Sequence, residues 1–198
     1  MPMFKACCPL VLASASPRRR EYLARLGLEF SIVPAAIDES CHPDEPPRDF
    51  ALRMAATKAR AVAEAYPAAC VLGADTVVAL DGHIFGKPAN HEEALAMLKQ
   101  LQGHTHAVTT GFAIIVKERN IDVLDAVTTL VTFGTFPDPV LQAYVASDEP
   151  MDKAGAYGLQ GIGGFLVRSL SGSCSNVVGL PVHAVVRSLL EQAILRIG

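Results

Sequence analysis

Two long runs rich in β-branched residues, Thr105 to Val116 and Ile121 to Phe133, lie on either side of a polar turn, Lys117 to Asn120. Side chains branched at Cβ fit a pleated surface better than a helix, so the runs are predicted to pair as a hairpin of long strands. A third run, Cys70 to Leu80, ends at Asp81-Gly82, a hairpin dipeptide that leads into His83 to Phe85. Shorter strands are predicted at Leu10 to Ala13, Phe30 to Val33 and Phe165 to Leu170. Between the strands the pattern turns helical. Ser16 is a natural N-cap, Pro17 suits the first helical position, and Tyr22, Leu23 and Leu26 form an apolar stripe that stops at Gly27. Further helices are predicted from about Arg48 to Tyr66, ahead of Pro67, and from the capping pair Asn90 and Glu93 to Leu101, with Gly103 just beyond. Pro137 to Ala146 reads as a short helix and Val182 to Ile197 as an amphipathic terminal one. This interleaving predicts an α/β fold with a mixed sheet, open to division into two lobes that share strands.

Size and charge narrow the function. A chain of 198 residues with 51% hydrophobic content can bury a substantial core, and without repeats, low-complexity tracts or linkers one domain over 1–198 is expected. The net charge of -3 exerts no general pull on nucleic acid, so any polyanion must be met by a local basic cluster. Five cysteines without a CxxC pair suit a reducing compartment, and a cytoplasmic location is expected. Lys5, the apolar stretch Ala6 to Ala13 and Ala13-Ser14-Ala15 imitate a cleaved leader. Pro9 interrupts that stretch, however, and cleavage would remove the first core strand. No uncharged apolar stretch of about 18 residues is present to span a bilayer, so no membrane partner is expected.

The segment Ser14-Ala15-Ser16-Pro17-Arg18-Arg19-Arg20 places two hydroxyls, free helix N-terminal amides and three guanidiniums at the end of a strand. As a purely structural feature it would be a capped helix with a solvated basic first turn. Cations there oppose the helix dipole at a cost of roughly 0.3 to 1 kcal/mol each, so an anion is expected beside them. Asp75, within Gly73-Ala74-Asp75-Thr76, interrupts an apolar strand with a carboxylate that needs a cation, a metal or a hydrogen-bond network. It is the first candidate for the catalytic group. Lys87, in the loop Gly86-Lys87-Pro88, Glu39, at the entry to the polar loop Asp38 to Pro47, and Lys58, on a small apolar helix stretch, each admit a solvated or a functional reading. Asp148 to Gly161, leading into a glycine-rich stretch to Gly164, offers Asp152, Lys153 and Gln160 as acid, base and amide edge for a metal, a phosphate and a nucleobase. His104 and His106, two apart on one strand face, are ordinary strand residues or two ligands without a third.

Leu12-Ala13-Ser14-Ala15-Ser16-Pro17-Arg18-Arg19, Leu72-Gly73-Ala74-Asp75-Thr76-Val77-Val78, Gly86-Lys87-Pro88 and Tyr144-Val145 through Gly164, in that order, closely resemble the Maf family of nucleoside triphosphate pyrophosphatases. The resemblance runs from about Leu10 to Pro181. It implies an elongated mixed α/β structure, two lobes with a central cleft, related to the inosine triphosphate pyrophosphatases. It further implies hydrolysis of a nucleoside triphosphate to monophosphate and pyrophosphate with a divalent cation, Mg²⁺ or Mn²⁺, and suggests a homodimer. The form Asp-Lys-Ala-Gly-Ala-Tyr-Gly-Leu-Gln-Gly from Asp152 to Gly161 looks like the branch acting on dTTP and UTP; the 7-methyl-GTP branch has cysteine where Lys153 stands. By the same resemblance Asp75 is the proton acceptor, and Arg18, Thr76 and Gln160 govern base selection. Ser14, Arg19, Glu39, Lys58 and Lys87 match other functional positions, mostly for phosphate and metal. Gly134 departs from the family, where arginine often follows the Thr-Phe pair, and so does Cys174-Ser175-Asn176, which is expected in a turn.

The expected mechanism shares the triphosphate charge among Arg18, Arg19, Lys58, Lys87 and a metal held by Glu39 and Asp75, while Asp75 activates water for attack at the α-phosphorus. Two rivals stand beside it. One is the same chemistry on 7-methyl-GTP or a modified pyrimidine triphosphate, and the other is a nucleotide-binding regulator of septum formation that need not hydrolyse. The intact Asp75 and basic set favour turnover, and basic residues focused at one site disfavour a nucleic-acid-binding module.

Overall fold

The computed structural model describes residues 3–198. In chain order it runs β1 (Phe4–Ala6), β2 (Leu10–Leu12), α1 (Pro17–Arg25), β3 (Ser31–Ile32), α2 (Pro47–Ala63), β4 (Cys70–Leu80), β5 (His83–Phe85) and α3 (His91–Leu101). There follow β6 (Thr105–Val116), β7 (Ile121–Phe133), α4 (Asp138–Val145), β8 (Val167–Ser171), α5 (Cys174–Val178), α6 (Val182–Glu191) and β9 (Leu195–Ile197), with single 3₁₀ turns at Lys117–Arg119 and through 149–166.

The two β-branched runs pair antiparallel along their whole length as β6 and β7, and β4 lies antiparallel on the other side of β6. The seven-stranded mixed sheet has the order β3-β2-β4-β6-β7-β8, with β2 parallel to β3 and β4 and with β5 folded back on β4. Alternation along β4 sends Val71, Gly73, Asp75 and Val77 to one face and Leu72, Ala74, Thr76 and Val78 to the other. The first face is covered by α2, whose Ala51, Ala55 and Ala59 pack directly on the sheet. The second face carries two separate cores. Leu72, Ala74, Phe112 and Ile114 pack with Leu23 of α1 and Leu189 of α6, whereas Val78 and Val108 pack with Leu98 of α3 and Leu141 of α4. Between these cores the sheet presents Thr76 and Thr110, hydroxyl to hydroxyl at 2.9 Å, so the division into two lobes is written in the strand sequence itself.

Four expectations are corrected. The terminal helix ends at Glu191; Ala193 takes a left-handed φ of 50°, and Leu195–Ile197 becomes β9, paired antiparallel with β1 in a separate two-stranded sheet. The strand expected at Phe165 to Leu170 is Val167–Ser171, because Phe165 lies in a 3₁₀ turn and stacks edge-on against Phe136 and Tyr144. The strand at Phe30 to Val33 shortens to Ser31–Ile32. Cys174 to Asn176, expected in a turn, opens the short helix α5, capped by Ser173 Oγ accepting from the Asn176 N–H.

Asn176 is fully buried and splices α5 to the sheet: Oδ1 accepts from the Thr110 N–H (3.1 Å), while Nδ2 donates to the Val108 carbonyl and Thr129 Oγ1, each at 2.9 Å. Asn176→Ala strands these partners without water and is expected to cost about 2 kcal/mol. A differential scanning measurement should register that as a fall in Tm of roughly 6 °C.

Candidate active site

β2 borders β4 only as far as Leu72, and β5 takes over on the same edge at Val78. From Gly73 to Val77 that edge of β4 therefore has no strand beside it, and a cleft of about 590 Å³ opens there. Access at an open edge serves both sheet faces. Asp75 and Thr76, which alternate to opposite faces, both line the cleft for this reason.

On the α2 side, Lys58 Nζ lies 2.6 Å from Asp75 Oδ1 and 2.9 Å from Glu39 Oε1. Lys58 is buried, set among alanines on the sheet-facing side of α2, so the solvated reading of this residue is excluded. Arg53, one turn earlier on the helix, pairs with Glu45 at 2.6 Å and donates to the Ser40 carbonyl at 3.0 Å, tying the loop that carries Glu39 to the helix that carries Lys58. Asp75 Oδ2 has no hydrogen-bond partner among the described residues. The two carboxylates meet at the Lys58 ammonium, and no group of three or more His, Cys, Asp or Glu converges on a metal position among the described residues. Such a set fits a hard divalent ion that takes its remaining oxygens from phosphates and water.

On the other side, α1 starts directly at the end of β2, with Ser16 as its cap. Arg19 does not point into solvent against the helix dipole. Its guanidinium turns into the cleft, donating to the Gly179 carbonyl (2.8 Å), Ser14 Oγ (3.0 Å) and Thr76 Oγ1 (3.1 Å). Burial lowers the Arg19 pKa, and the Asp75 charge opposes that shift. Thr110 Oγ1 donates to the Asn176 carbonyl, which leaves the Thr76 hydroxyl as donor to Thr110 and acceptor from Arg19. Arg18 reaches across the cleft to Asp152 Oδ2 at 3.3 Å, and Arg20 is exposed outside it.

The far wall is the glycine-rich segment. Lys153 Nζ donates to the Glu149 carbonyl and to Asp152 Oδ1, both at 2.5 Å, while Gln160 is exposed at the rim. Lys87 stands exposed at the mouth with no ion pair among the described residues. Every residue singled out in the sequence for the site thus lines this one cleft: Ser14, Arg18, Arg19, Glu39, Lys58 and Asp75 together with Thr76, Lys87, Lys153 and Gln160. Gly134 does not; its backbone bonds to Leu166 and Gly103, so the departure there leaves the cleft lining intact. Sequence reasoning gave no role to Asn176 and Gly179, whose partners are distant in the chain, nor to Tyr144 and Glu149, which lie inside the quoted motif and bond to each other five residues apart. The local signals were the capping serine ahead of Asn176 and the motif that holds Tyr144 and Glu149.

The histidines do not share a ligand. His104 precedes β6 and is exposed, whereas His106 is buried, with Nε2 2.9 Å from the Tyr157 hydroxyl and Nδ1 unpartnered. Burial pushes the His106 pKa down to about 4 from 6.5. The unfolded chain binds a proton below its ordinary pKa while the folded chain does not until about pH 4, so stability falls as pH drops through that window. The loss is expected to reach roughly 3 kcal/mol. Urea midpoints at pH 7 and pH 4.5 should show it, with a shallower decline in His106→Gln.

A family model described as Maf-like protein matches residues 9–192. A dTTP/UTP pyrophosphatase of Desulfotalea psychrophila is 47% identical over 195 residues, 98% of this chain and 100% of that protein. Proteins of the same name from Thermococcus onnurineus and Moorella thermoacetica are each 50% identical over 176 residues, 89% of this chain and 94% and 91% of theirs. With the match extending over nearly the whole chain, the protein belongs to the Maf-like family.

Proposed function

We propose that this protein hydrolyses dTTP and UTP to the nucleoside monophosphate and pyrophosphate. The observation that carries the reading is the cleft in which a carboxylate, Asp75, stands among Arg18, Arg19, Lys58, Lys87 and Lys153, a local concentration of cations in a chain of net charge -3. The names of the relatives, which match over nearly their full length, support the same substrates.

In this mechanism the triphosphate lies along Arg18, Lys58 and Lys87, with Arg19 held in place by Ser14, Thr76 and the Gly179 carbonyl. The nucleobase faces the 153–160 wall, where Gln160 offers both amide donor and acceptor. Glu39 and Asp75 would hold a divalent cation, Mg²⁺ or Mn²⁺, which when bound neutralises phosphate oxygens. Asp75 Oδ1 is engaged by Lys58, so Oδ2 is the oxygen that accepts a proton from water. The water oxygen bonds to the α-phosphorus, the bond to the bridging α–β oxygen breaks, and pyrophosphate leaves. Lys58 and the arginines oppose the charge that gathers on the transferred group. Five free thiols accord with a reducing, cytoplasmic setting, and no helix among the described residues is long and apolar enough to cross a membrane.

A panel of UTP, dTTP, CTP, GTP, ATP and 7-methyl-GTP, read by pyrophosphate release, tests the reading. UTP and dTTP should give the highest kcat/KM, with one pyrophosphate per monophosphate. A preference for 7-methyl-GTP, or release of orthophosphate, would remove it.

A further inference from the structure

The glycine-rich segment contains a network that the proposed reaction does not use. The Glu149 carboxylate accepts hydrogen bonds from the N–H groups of Ile162 (2.8 Å) and Gly163 (2.9 Å) and from the Tyr144 hydroxyl (3.1 Å). That hydroxyl also accepts from the Gly158 N–H at 3.3 Å, and the Glu149 carbonyl takes the Lys153 ammonium. One side chain thereby closes residues 149–163 into a ring, and the ring presents Asp152, Lys153, Gly158 and Gln160 to the cleft. Tyr144 is buried in the core shared by α3 and α4, so the ring is referenced to rigid packing.

The glycines belong to the same device. A Cβ on Gly161 would lie 2.6 Å from Glu149 Oε2, and one on Gly163 would lie 2.2 Å from the Tyr144 hydroxyl. Glycine at these two positions admits the close approach of Glu149 and Tyr144. Burial raises the Glu149 pKa, but the Gly163 and Ile162 amides and the Tyr144 hydroxyl outweigh it, so the carboxylate stays ionised. The Gln160 side chain, by contrast, is exposed with no hydrogen-bond partner among the described residues, so the ring can act on Gln160 through its backbone alone.

We propose that Glu149 is a specificity-determining positioning residue: its clamp on Ile162, Gly163 and Tyr144 fixes the 153–161 turn so that Gln160 meets the pyrimidine edge in one orientation. This rests on the pyrimidine triphosphate reading above. A clamp outside the reacting atoms acts on base discrimination and substrate affinity rather than on the chemical step.

The test compares the full chain with Glu149→Gln and Tyr144→Phe on UTP, dTTP, CTP and GTP. Glutamine keeps the shape but turns an NH₂ group toward one of two backbone donors. KM for UTP and dTTP is expected to rise roughly tenfold with kcat held within about threefold, and the preference for UTP over CTP to shrink roughly tenfold. Tyr144→Phe should move both quantities the same way by less. Hydrogen exchange at the Ile162 and Gly163 amides should quicken in Glu149→Gln while the α2 amides stay protected. The proposal is overturned if base preference stays at the wild-type value, or if kcat falls equally for all four nucleotides. Should the wild-type chain hydrolyse none of them, the pyrophosphatase reading itself fails, and the clamp is then judged by exchange and by the ratio of Kd for UTP and CTP.

Discussion

Asp75→Asn is expected to lower kcat for pyrophosphate release by about a thousandfold, within the range set by loss of a positioned proton acceptor. Asparagine matches the carboxylate in shape, and its amide cannot take a proton from water. The fold should survive, because Lys58 keeps Glu39 as counter-ion at 2.9 Å and is not left as an isolated buried charge. The variant should therefore bind a non-hydrolysable UTP analogue within about tenfold of the wild type, which separates lost chemistry from lost binding. Retention of more than a tenth of wild-type kcat would place the proton acceptor elsewhere.

Gly111→Ala is expected to be the most damaging single change to stability. A Cβ on Gly111 would lie 2.4 Å from the Ala51 carbonyl oxygen and 2.6 Å from its carbon, and both are backbone atoms of α2. The same geometry recurs one strand over, where a Cβ on Gly73 would lie 2.4 Å from the Ala55 carbonyl oxygen. No rotamer relieves a clash with backbone, so the helix must lift from the sheet. Overpacking of this kind costs about 3 kcal/mol or more, and a fall in Tm of roughly 10 °C follows for a chain of this size. Because α2 carries Lys58, activity should fall along with stability even where the variant remains folded. A variant with wild-type Tm would show that α2 does not sit on the sheet as described.

The local signals in the sequence translated well into structure. Ser16 and Pro17 open a helix as expected, and of the cation, metal or hydrogen-bond network that Asp75 required, the fold supplies a cation. The position of that cation was not legible, since Lys58 reaches Asp75 only through the packing of α2 on two glycines. Arg19 shows the same limit in part: Ser14 is a local partner, but Gly179 and Thr76, which also hold its guanidinium, belong to other parts of the chain. The terminal strands β1 and β9 are three residues each and owe their existence to one another, so neither run carries a period to read. The apolar pattern of α6 continues past its end because Leu195 is buried as a strand residue rather than a helical one. The glycine-rich run was legible as such, but not that Gly161 and Gly163 make room for Glu149 and Tyr144.

Hydrolysis of UTP in water enriched in ¹⁸O tests the central claim most directly, because it reports which phosphorus the water attacks. With Asp75 delivering water to the α-phosphorus, one ¹⁸O should appear in UMP and none in pyrophosphate. Label in the pyrophosphate, with unlabelled UMP, would contradict the account.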